Sequence, residues 1–356
     1  MTCIRQHQML ADTLTIMLVR SRWWRAKLPE IATLVILSTV ALGLIVVPRI
    51  GASELVVLCS NNVSACEAVS AAYEEQSGQQ VTVVRMPTSQ ALTRVRVPKE
   101  SGEFDVWMGG PADAYAIAAR EDHLASIELD AQSVPDRLQD PEGRWYGIYG
   151  GILAFCVANS IEPPTTWAEL NSDSSYRIVL PNPVSSGTAA TILSVQVQRL
   201  GGESAMVDYM KSLDEAVLSY TDSGTVPAHL VASGRADIGV SFAPYCETEK
   251  LLGADISAIY PSDGTGFEVG AIAVLEESRR QDAAIQFLNY VVSDEGQQIG
   301  AQVENQLPVS ESLEPNLIGQ LEELETAIYG WNIQEIGASR AGLINLWLNE
   351  VRNGAY

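Results

Sequence analysis

Residues 54–301 alternate between short apolar runs of strand length and longer helical periods, and this alternation limits the folds open to the chain. The first series of strands lies at 54–59, 80–85 and 104–108. A second series lies at 178–180, 217–220 and 237–242, again with helical periods between the strands. Strands that alternate with crossover helices form parallel sheets whose faces the helices cover. The pattern therefore predicts an α/β fold built from two units.

Two extended segments rich in glycine and apolar residues, near 145–157 and 260–275, connect the two units. This arrangement predicts two α/β lobes with a hinge and an interlobe cleft between them. The predicted limits are 53–147 for the first part of lobe 1, 148–262 for lobe 2, 263–310 for the return to lobe 1 and 311–356 for a C-terminal helical segment.

The first 52 residues have the pattern of an export signal. Residues 31–47 carry no charge, and four cations lie just upstream between Arg20 and Lys27, which is the order of a secretory signal peptide. The apolar run is short for a membrane span. Cleavage after Ala52 and retention of 31–47 as a membrane anchor both remain open, and we favour cleavage; Met17 is an alternative start. Either outcome places the rest of the chain outside the cytoplasmic membrane, in the periplasm or the extracellular space.

The charge balance excludes one large class of partners. Asp and Glu outnumber Lys and Arg by 44 to 22, which gives a formal net charge of −22. Binding to the phosphates of nucleic acid needs clustered cations that such a chain lacks. We therefore expect no nucleic-acid partner, and we expect the acidic surface to keep the protein soluble as a monomer.

Four cysteines follow the leader, and an exported chain meets an oxidising environment. Cys59, Cys66, Cys156 and Cys246 allow three pairings, which sequence alone does not separate. Cys59 ends an apolar run and Cys66 opens a helical period shortly after it, which favours a local Cys59–Cys66 disulfide; Cys156–Cys246 is the weaker prediction. The spacing is not that of a zinc site.

Motifs for catalysis and for cofactor binding are missing from the sequence. There is no phosphate-binding P-loop, no dinucleotide fingerprint and no zinc-protease helix. The segment around Ser241 resembles a nucleophile elbow, but it lacks the final glycine and no histidine follows it. We therefore predict no enzyme activity and no cofactor. An exported hydrolase that uses Ser241 or a free cysteine is the disfavoured alternative.

Small polar residues are instead concentrated where strands turn into helices. Such turns occur at 88–89, 181–188 and 223–225. A helix start presents free backbone N–H groups and, with nearby hydroxyls, suits an anion. Any one of these turns alone is most simply an ordinary helix cap. Three of them, spread over both lobes, favour a ligand cleft.

Five segments resemble the family 1-type extracellular solute-binding proteins of ABC importers. Their sequences are Phe-Asp-Val-Trp-Met-Gly-Gly at 104–110, Tyr-Gly-Ile-Tyr at 146–149, Leu-Pro-Asn-Pro through Ser-Ser-Gly-Thr at 180–188, Ala-Asp-Ile-Gly-Val-Ser-Phe-Ala at 236–243 and Gly-Thr-Gly-Phe-Glu-Val-Gly-Ala at 264–271. The resemblance covers about 54–350 and is closest to the branch that includes ferric-iron, sugar-phosphate and aminoalkylphosphonate binders. It implies a type II periplasmic-binding-protein fold and the capture of a ligand for a membrane permease.

The chain departs from this branch at positions that bear on the ligand. Sugar-phosphate binders tend to have a His-Asp pair where this chain has Pro244-Tyr245. Like this chain, they have an acidic residue at the position of Glu268. Ferric-iron binders have two adjacent tyrosines there, and this chain has one. Tyr245 and Glu268 are hard oxygen ligands that iron accepts, but two ligands leave it under-coordinated. The early loop at 87–90 also lacks the acidic residue usual in the family.

Our first hypothesis is a binding protein that captures a small phosphorylated or phosphonate anion by lobe closure and delivers it to an ABC permease. Hydroxyls and N–H groups would hold the anionic head, and Tyr245 with Glu268 would contact a hydroxyl or amine at the other end. The alternatives are ferric iron bound at Tyr245 and Glu268, and a membrane-tethered sensor if 31–47 is retained. The candidate ligand-binding residues are Ser60, Asn61, Thr88, Ser89, Gly110, Tyr149, Ser185, Ser186, Gly187, Thr188, Thr225, Tyr245 and Glu268.

Overall fold

The computed structural model describes residues 54–97, 102–129, 132–172 and 175–354. The predicted leader, with its apolar run at 31–47, the cleavage position after Ala52 and the alternative start at Met17, lies outside these residues. Within the described part of the chain, no helix is both long enough and apolar enough to cross a bilayer.

Lobe 1 begins with three strand–helix units. The strands are β1 (Leu55–Cys59), β2 (Val81–Arg85) and β3 (Val106–Pro111), and the helices that follow them are α1 (Val63–Ser77), α2 (Thr88–Val95) and α3 (Ala112–Arg120). Strand β1 pairs in parallel with both β2 and β3. Strands β1 and β3 are almost wholly buried, as expected for a sheet with helices on both faces.

The 13-residue strand β4 (Tyr146–Ala158) leads into lobe 2, after a short 3-10 turn at Asp136–Leu138. The strands of lobe 2 are β5 (Ile178–Pro181), β6 (Val217–Thr221), β7 (Ile238–Phe242) and β8 (Ile256–Ile259). Its helices are α4 (Trp167–Leu170), α5 (Gly187–Leu200), α6 (Glu203–Asp214), α7 (Val226–Ala232) and α8 (Ala243–Leu251).

The chain then returns to lobe 1 through β9 (Thr265–Val274). The remaining elements are α9 (Gln281–Val292), α10 (Asp294–Glu304), β10 (Leu307–Pro308), α11 (Leu317–Glu323), β11 (Ile328–Tyr329), α12 (Ile333–Leu346) and a final π turn at Trp347–Val351. The strand order is β2-β1-β3-β9-β4-β7-β5-β6. Strand β4 pairs with β9 along its first half and with β7 and β8 along its second half, so it is continuous through both lobes.

Each lobe has its own hydrophobic core. The core of lobe 1 extends along β4 as far as Ile152, and the core of lobe 2 begins at Leu153. The C-terminal segment contributes to both, because Ile333 packs in the first core and Trp347 in the second. The sequence-based limits of the lobes stay a prediction, since the cores describe packing rather than independent units.

Both cysteine pairs weighed from the sequence are disulfide-bonded in the structure. Cys59–Cys66 joins the end of β1 to the first turn of α1, and Cys156–Cys246 joins β4 to α8. The second pair lies in a small buried cluster that also contains Val179. It therefore fastens a helix of lobe 2 to the strand that connects the lobes.

Candidate functional site

A pocket lies where strands of both lobes end. The residues that line it come from the turns after β1, β2, β3, β5 and β6, from the first turn of α8 and from β9. They are Ser60, Asn61, Asn62, Arg85, Pro87, Thr88, Gly110, Pro111, Ser186, Gly187, Thr188, Asp222, Ser223, Gly224, Thr225, Tyr245 and Glu268. The carboxyl ends of parallel strands meet at one edge of a sheet, and α/β proteins bind ligands in the crevice there.

Several helices begin at this pocket, and α2 and α5 are two of them. Helix α2 starts at Thr88 and α5 starts at Gly187, with Ser186 in extended conformation before it. The first N–H groups of a helix have no partner within the helix, and they carry partial positive charge. The start of α5 therefore presents the N–H groups of Gly187 and Thr188 towards a space that both lobes enclose.

The hydroxyls of three largely buried residues at the pocket have no hydrogen-bond partner among the described residues. Thr88, Ser186 and Thr188 are only 4%, 3% and 5% exposed. Ser186 precedes α5 without forming the side-chain bond of a helix cap. Buried polar groups in proteins are nearly always hydrogen-bonded. Hydroxyls that the protein leaves unpaired on a cavity wall are suited to a ligand or to ordered water.

Ten of the thirteen predicted ligand residues line the pocket, and the other three lie behind its wall. The Ser89 N–H donates a 3.4 Å hydrogen bond to the Ser185 carbonyl oxygen across the lobes, and both hydroxyls are buried without a partner. The Tyr149 phenol accepts a 3.1 Å hydrogen bond from the Gly110 N–H. Tyr149 therefore supports the turn after β3 rather than lining the pocket itself.

The two lobes touch at the pocket, so the structure is a closed arrangement. Gly187 of lobe 2 lies directly against the Pro111 ring of lobe 1, with no room for a Cβ atom between them. Gly110 has a left-handed φ of +76°, and a Cβ there would lie 2.6 Å from the Thr88 hydroxyl oxygen. Glycine is required at both positions because the chain segments approach so closely.

Sequence reasoning missed the charged residues of the pocket wall. Arg85, the last residue of β2, is exposed and forms no ion pair with any described residue. Asp222, in the turn after β6, is also exposed. The position of Arg85 could have indicated its role, because it ends β2 and the turn after β2, at 88–89, was already a candidate part of the ligand site. An unpaired cation at the entrance attracts anions.

Glu268 lies on β9 at the pocket and is only 6% exposed. Burial and, to a smaller extent, the nearby Asp113 carboxylate raise the pKa of Glu268 to about 8, although the Arg340 guanidinium opposes both effects. Asp113 and Arg340 form a buried ion pair between α3 and α12. Glu268 is therefore mostly protonated at neutral pH, and its carboxyl group can donate a hydrogen bond.

Tyr245 lies in the first turn of α8 and is a neutral phenol. Burial raises the pKa of Tyr245 well above its ordinary value. The acidic side chains of Glu268 and Glu304 act in the same direction, and Gln306 and Arg85 oppose them. Among the described residues, no cluster of three or more His, Cys, Asp or Glu side chains is arranged to hold a metal ion. The Ser241 hydroxyl is fully buried and donates to the Gly224 carbonyl oxygen at 2.5 Å.

Residues 55–302 match the family described as bacterial extracellular solute-binding proteins, and the chain belongs to this family. An uncharacterized protein of Haemophilus influenzae is 30% identical over 318 residues, which cover 84% of this chain and 91% of that protein. The protein named Iron uptake protein A1 of Synechocystis is 20% identical over 259 residues, which cover 67% of this chain and 71% of that protein.

Solved structures give the same assignment. The periplasmic binding protein AfuA from Actinobacillus pleuropneumoniae, with fructose-6-phosphate bound, aligns with a TM-score of 0.78 and 27% identity, covering 84% of this chain and 98% of AfuA. A ferric binding protein from Campylobacter jejuni aligns with a TM-score of 0.71 and 16% identity, covering 83% of this chain and 98% of that protein. At this identity the alignment shows a likeness of fold alone. The predicted periplasmic-binding-protein fold is confirmed. The protein is the substrate-binding component of an ABC importer that works outside the cytoplasmic membrane, not an enzyme.

Proposed function

We propose that this protein captures a small phosphorylated or phosphonate anion and presents it to its ABC permease. The observation that carries the proposal is the set of unpaired hydroxyls of Thr88, Ser186 and Thr188 around one pocket. They belong to both lobes, so an anion held between them would bring the lobes together. The fructose-6-phosphate bound to AfuA, a structural neighbour, supports the same class of ligand.

The start of α5 is the strongest part of this anion site. Its N–H groups, the Ser186 and Thr188 hydroxyls and the cationic Arg85 all favour negative charge. Hydrogen bonds to a charged oxygen are shorter and roughly twice as strong as neutral ones. A tetrahedral oxyanion has enough oxygens to accept hydrogen bonds from donors on both lobes at once.

The far end of the ligand would meet two neutral groups, Tyr245 and Glu268. A phenol and a protonated carboxyl group each donate one hydrogen bond and accept others. They suit a hydroxyl or carbonyl oxygen of the ligand. An ammonium group would gain less, because Glu268 would first have to lose its proton in a buried site.

The Ser186→Ala/Thr188→Ala double variant tests the proposal, with titration calorimetry against fructose-6-phosphate, 2-aminoethylphosphonate and inorganic phosphate. The variant removes two hydrogen bonds to a charged group, so affinity should fall at least tenfold, given roughly 1.5–3 kcal/mol for each bond before compensation. Thr191→Val is the matched control, because the Thr191 hydroxyl lies on the same helix but bonds to the Gly187 carbonyl oxygen. It should leave affinity unchanged.

Thermal unfolding of the unliganded proteins completes this test. Ser186 forms no cap bond, so the double variant should lose less than about 1 kcal/mol per site, the usual value of a helix cap. A variant that loses stability but binds all three probes as the parent protein does would contradict the anion site.

Ferric iron is the second candidate, because Tyr245 and Glu268 both line the pocket. Phenolate and carboxylate oxygens are hard ligands that suit this ion, and two of the proteins that resemble this chain in sequence or fold are named for iron. Addition of ferric citrate separates the candidates. A visible tyrosinate-to-iron absorption band that disappears in Tyr245→Phe would support iron and refute the phosphorylated ligand.

A further inference from the structure

The turn between α10 and β10 touches both lobes beside the pocket, although it belongs to lobe 1. It consists of Glu304, Asn305 and Gln306, and we call it the 304–306 corner. Asn305 ends α10 in the left-handed conformation, with a φ of 52°. This geometry turns the chain sharply and directs three consecutive side chains to different partners.

One side of the corner contacts α8 of lobe 2. The Asn305 side-chain amide donates a 2.9 Å hydrogen bond to the Thr248 hydroxyl oxygen. The Thr248 hydroxyl lies 3.2 Å from the Glu304 carbonyl oxygen and 3.0 Å from that of Pro244, so it can donate to either. The Pro244 carbonyl belongs to α8 itself, whereas the contacts of Thr248 with Asn305 and Glu304 join residues far apart in the sequence and can form only when α8 lies against the corner.

The other side of the corner holds residues of the pocket wall. The Gln306 and Asn61 carboxamides donate to each other at 2.7 and 3.1 Å, and both side chains are buried. The Gln306 side chain also lies near the Tyr245 phenol of lobe 2, where it lowers the pKa of that phenol. The Glu304 carboxylate accepts a 2.5 Å hydrogen bond from the Asn62 side chain.

We propose that the 304–306 corner is a closing contact that couples lobe closure to the shape of the ligand pocket. Asn305 fastens lobe 2 to the corner through Thr248, and Gln306 is a positioning residue that fixes Asn61 of lobe 1 and lies beside Tyr245 of lobe 2. All the partners are protein groups, so the contact stabilises the closed arrangement whichever ligand is bound. This inference does not depend on the chemical class of the ligand.

Pulsed electron paramagnetic resonance tests the proposal on the ligand-free full chain. Spin labels at Glu75→Cys on α1 and Ser204→Cys on α6, both exposed, report the distance between the lobes. Thr248→Val removes the hydroxyl. Asn305→Gly removes the amide but keeps the left-handed backbone, which glycine adopts without strain. Asn159→Ala is the matched control, since its amide bonds to Asp255 within lobe 2.

The parent protein should contain a closed fraction, and each of Thr248→Val and Asn305→Gly should lower its closed-to-open ratio about fivefold, the effect of one hydrogen bond of typical strength. Both variants break the Asn305–Thr248 bond, so the double variant should lose little more than Thr248→Val alone. Gln306→Leu should also lower the ratio, and Asn159→Ala should leave it unchanged.

Three results would overturn the proposal. The first is an equal closed fraction in the parent and in the Thr248 and Asn305 variants. The second is additive losses in the double variant, which would mean that the two side chains act through different contacts. The third is a parent protein with no closed fraction at all. Circular dichroism of each variant confirms folding, and Asn305→Gly still decides the result if Thr248→Val proves unstable.

Discussion

Replacement of Glu268 by glutamine should make the ligand-free protein more stable at alkaline pH. The folded protein holds the Glu268 proton up to a pKa of about 8, whereas the unfolded chain releases it near the ordinary value of 4.5. Between these values the folded state binds the extra proton, so the free energy of unfolding falls as pH rises. The proton has its full stabilising effect below pH 4.5, and this effect is lost progressively as the pH rises from 4.5 through about 8.

The magnitude follows from the difference between the two pKa values. At 1.36 kcal/mol for each unit, the full loss is at most about 5 kcal/mol. Glutamine has nearly the same shape as protonated glutamate and does not titrate, so Glu268→Gln should escape most of this loss. The variant and the parent should have similar stability near pH 5 and should diverge as pH rises to 9.

Urea unfolding at pH 5, 7 and 9 measures the effect, because the extrapolated free energy of unfolding is obtained separately at each pH. Glu75→Gln, at an exposed carboxyl group on α1, is the control and should follow the parent at every pH. Parallel curves for Glu268→Gln and the parent would refute the reasoning, because they would mean that Glu268 keeps its charge in the folded protein.

Two further variants probe the pocket. Arg85→Gln should weaken fructose-6-phosphate binding and make the affinity less dependent on salt. The melting temperature should stay unchanged, because Arg85 is exposed and unpaired. Calorimetry at low and high salt measures the affinity and its salt dependence, and an unaltered affinity would contradict an anion at this wall. Gly187→Ala should hold the lobes apart, since its methyl group meets Pro111, and small-angle X-ray scattering should then show a larger radius of gyration than in the parent.

The parts of the site that could be predicted from the sequence are those with local signals. Thr88, Ser186 and Thr188 follow strands and precede helices, and that order of elements is readable from the pattern of apolar residues. Glu268 and Tyr245 came from the family resemblance. The exact ends of a helix such as α2 at Thr88–Val95 are what the pattern of apolar residues determines least.

The parts that could not be predicted depend on contacts between distant residues. Gln306 reaches Asn61 across 245 positions of the chain, and nothing in the local sequence marks either residue for the other. Arg340 of α12 bonds to Asp113 across a similar distance in the sequence. The C-terminal segment, which was expected only to be helical, therefore affects the pKa of Glu268. Tyr149 was predicted to contact the ligand but does not line the pocket; its phenol bonds to Gly110 instead. Alternation along a buried strand does not tell which face opens on the pocket.

The position of β9 bears on how the chain is made and exported. This strand lies between β3 and β4 in the sheet, yet it is synthesised after β4 and after all of lobe 2. The sheet of lobe 1 therefore stays incomplete until residues 265–274 have left the ribosome, and pairings between such distant segments form slowly. A nascent chain whose first lobe cannot fold until late in synthesis remains unfolded for longer. This delay suits a protein that crosses a membrane before it folds.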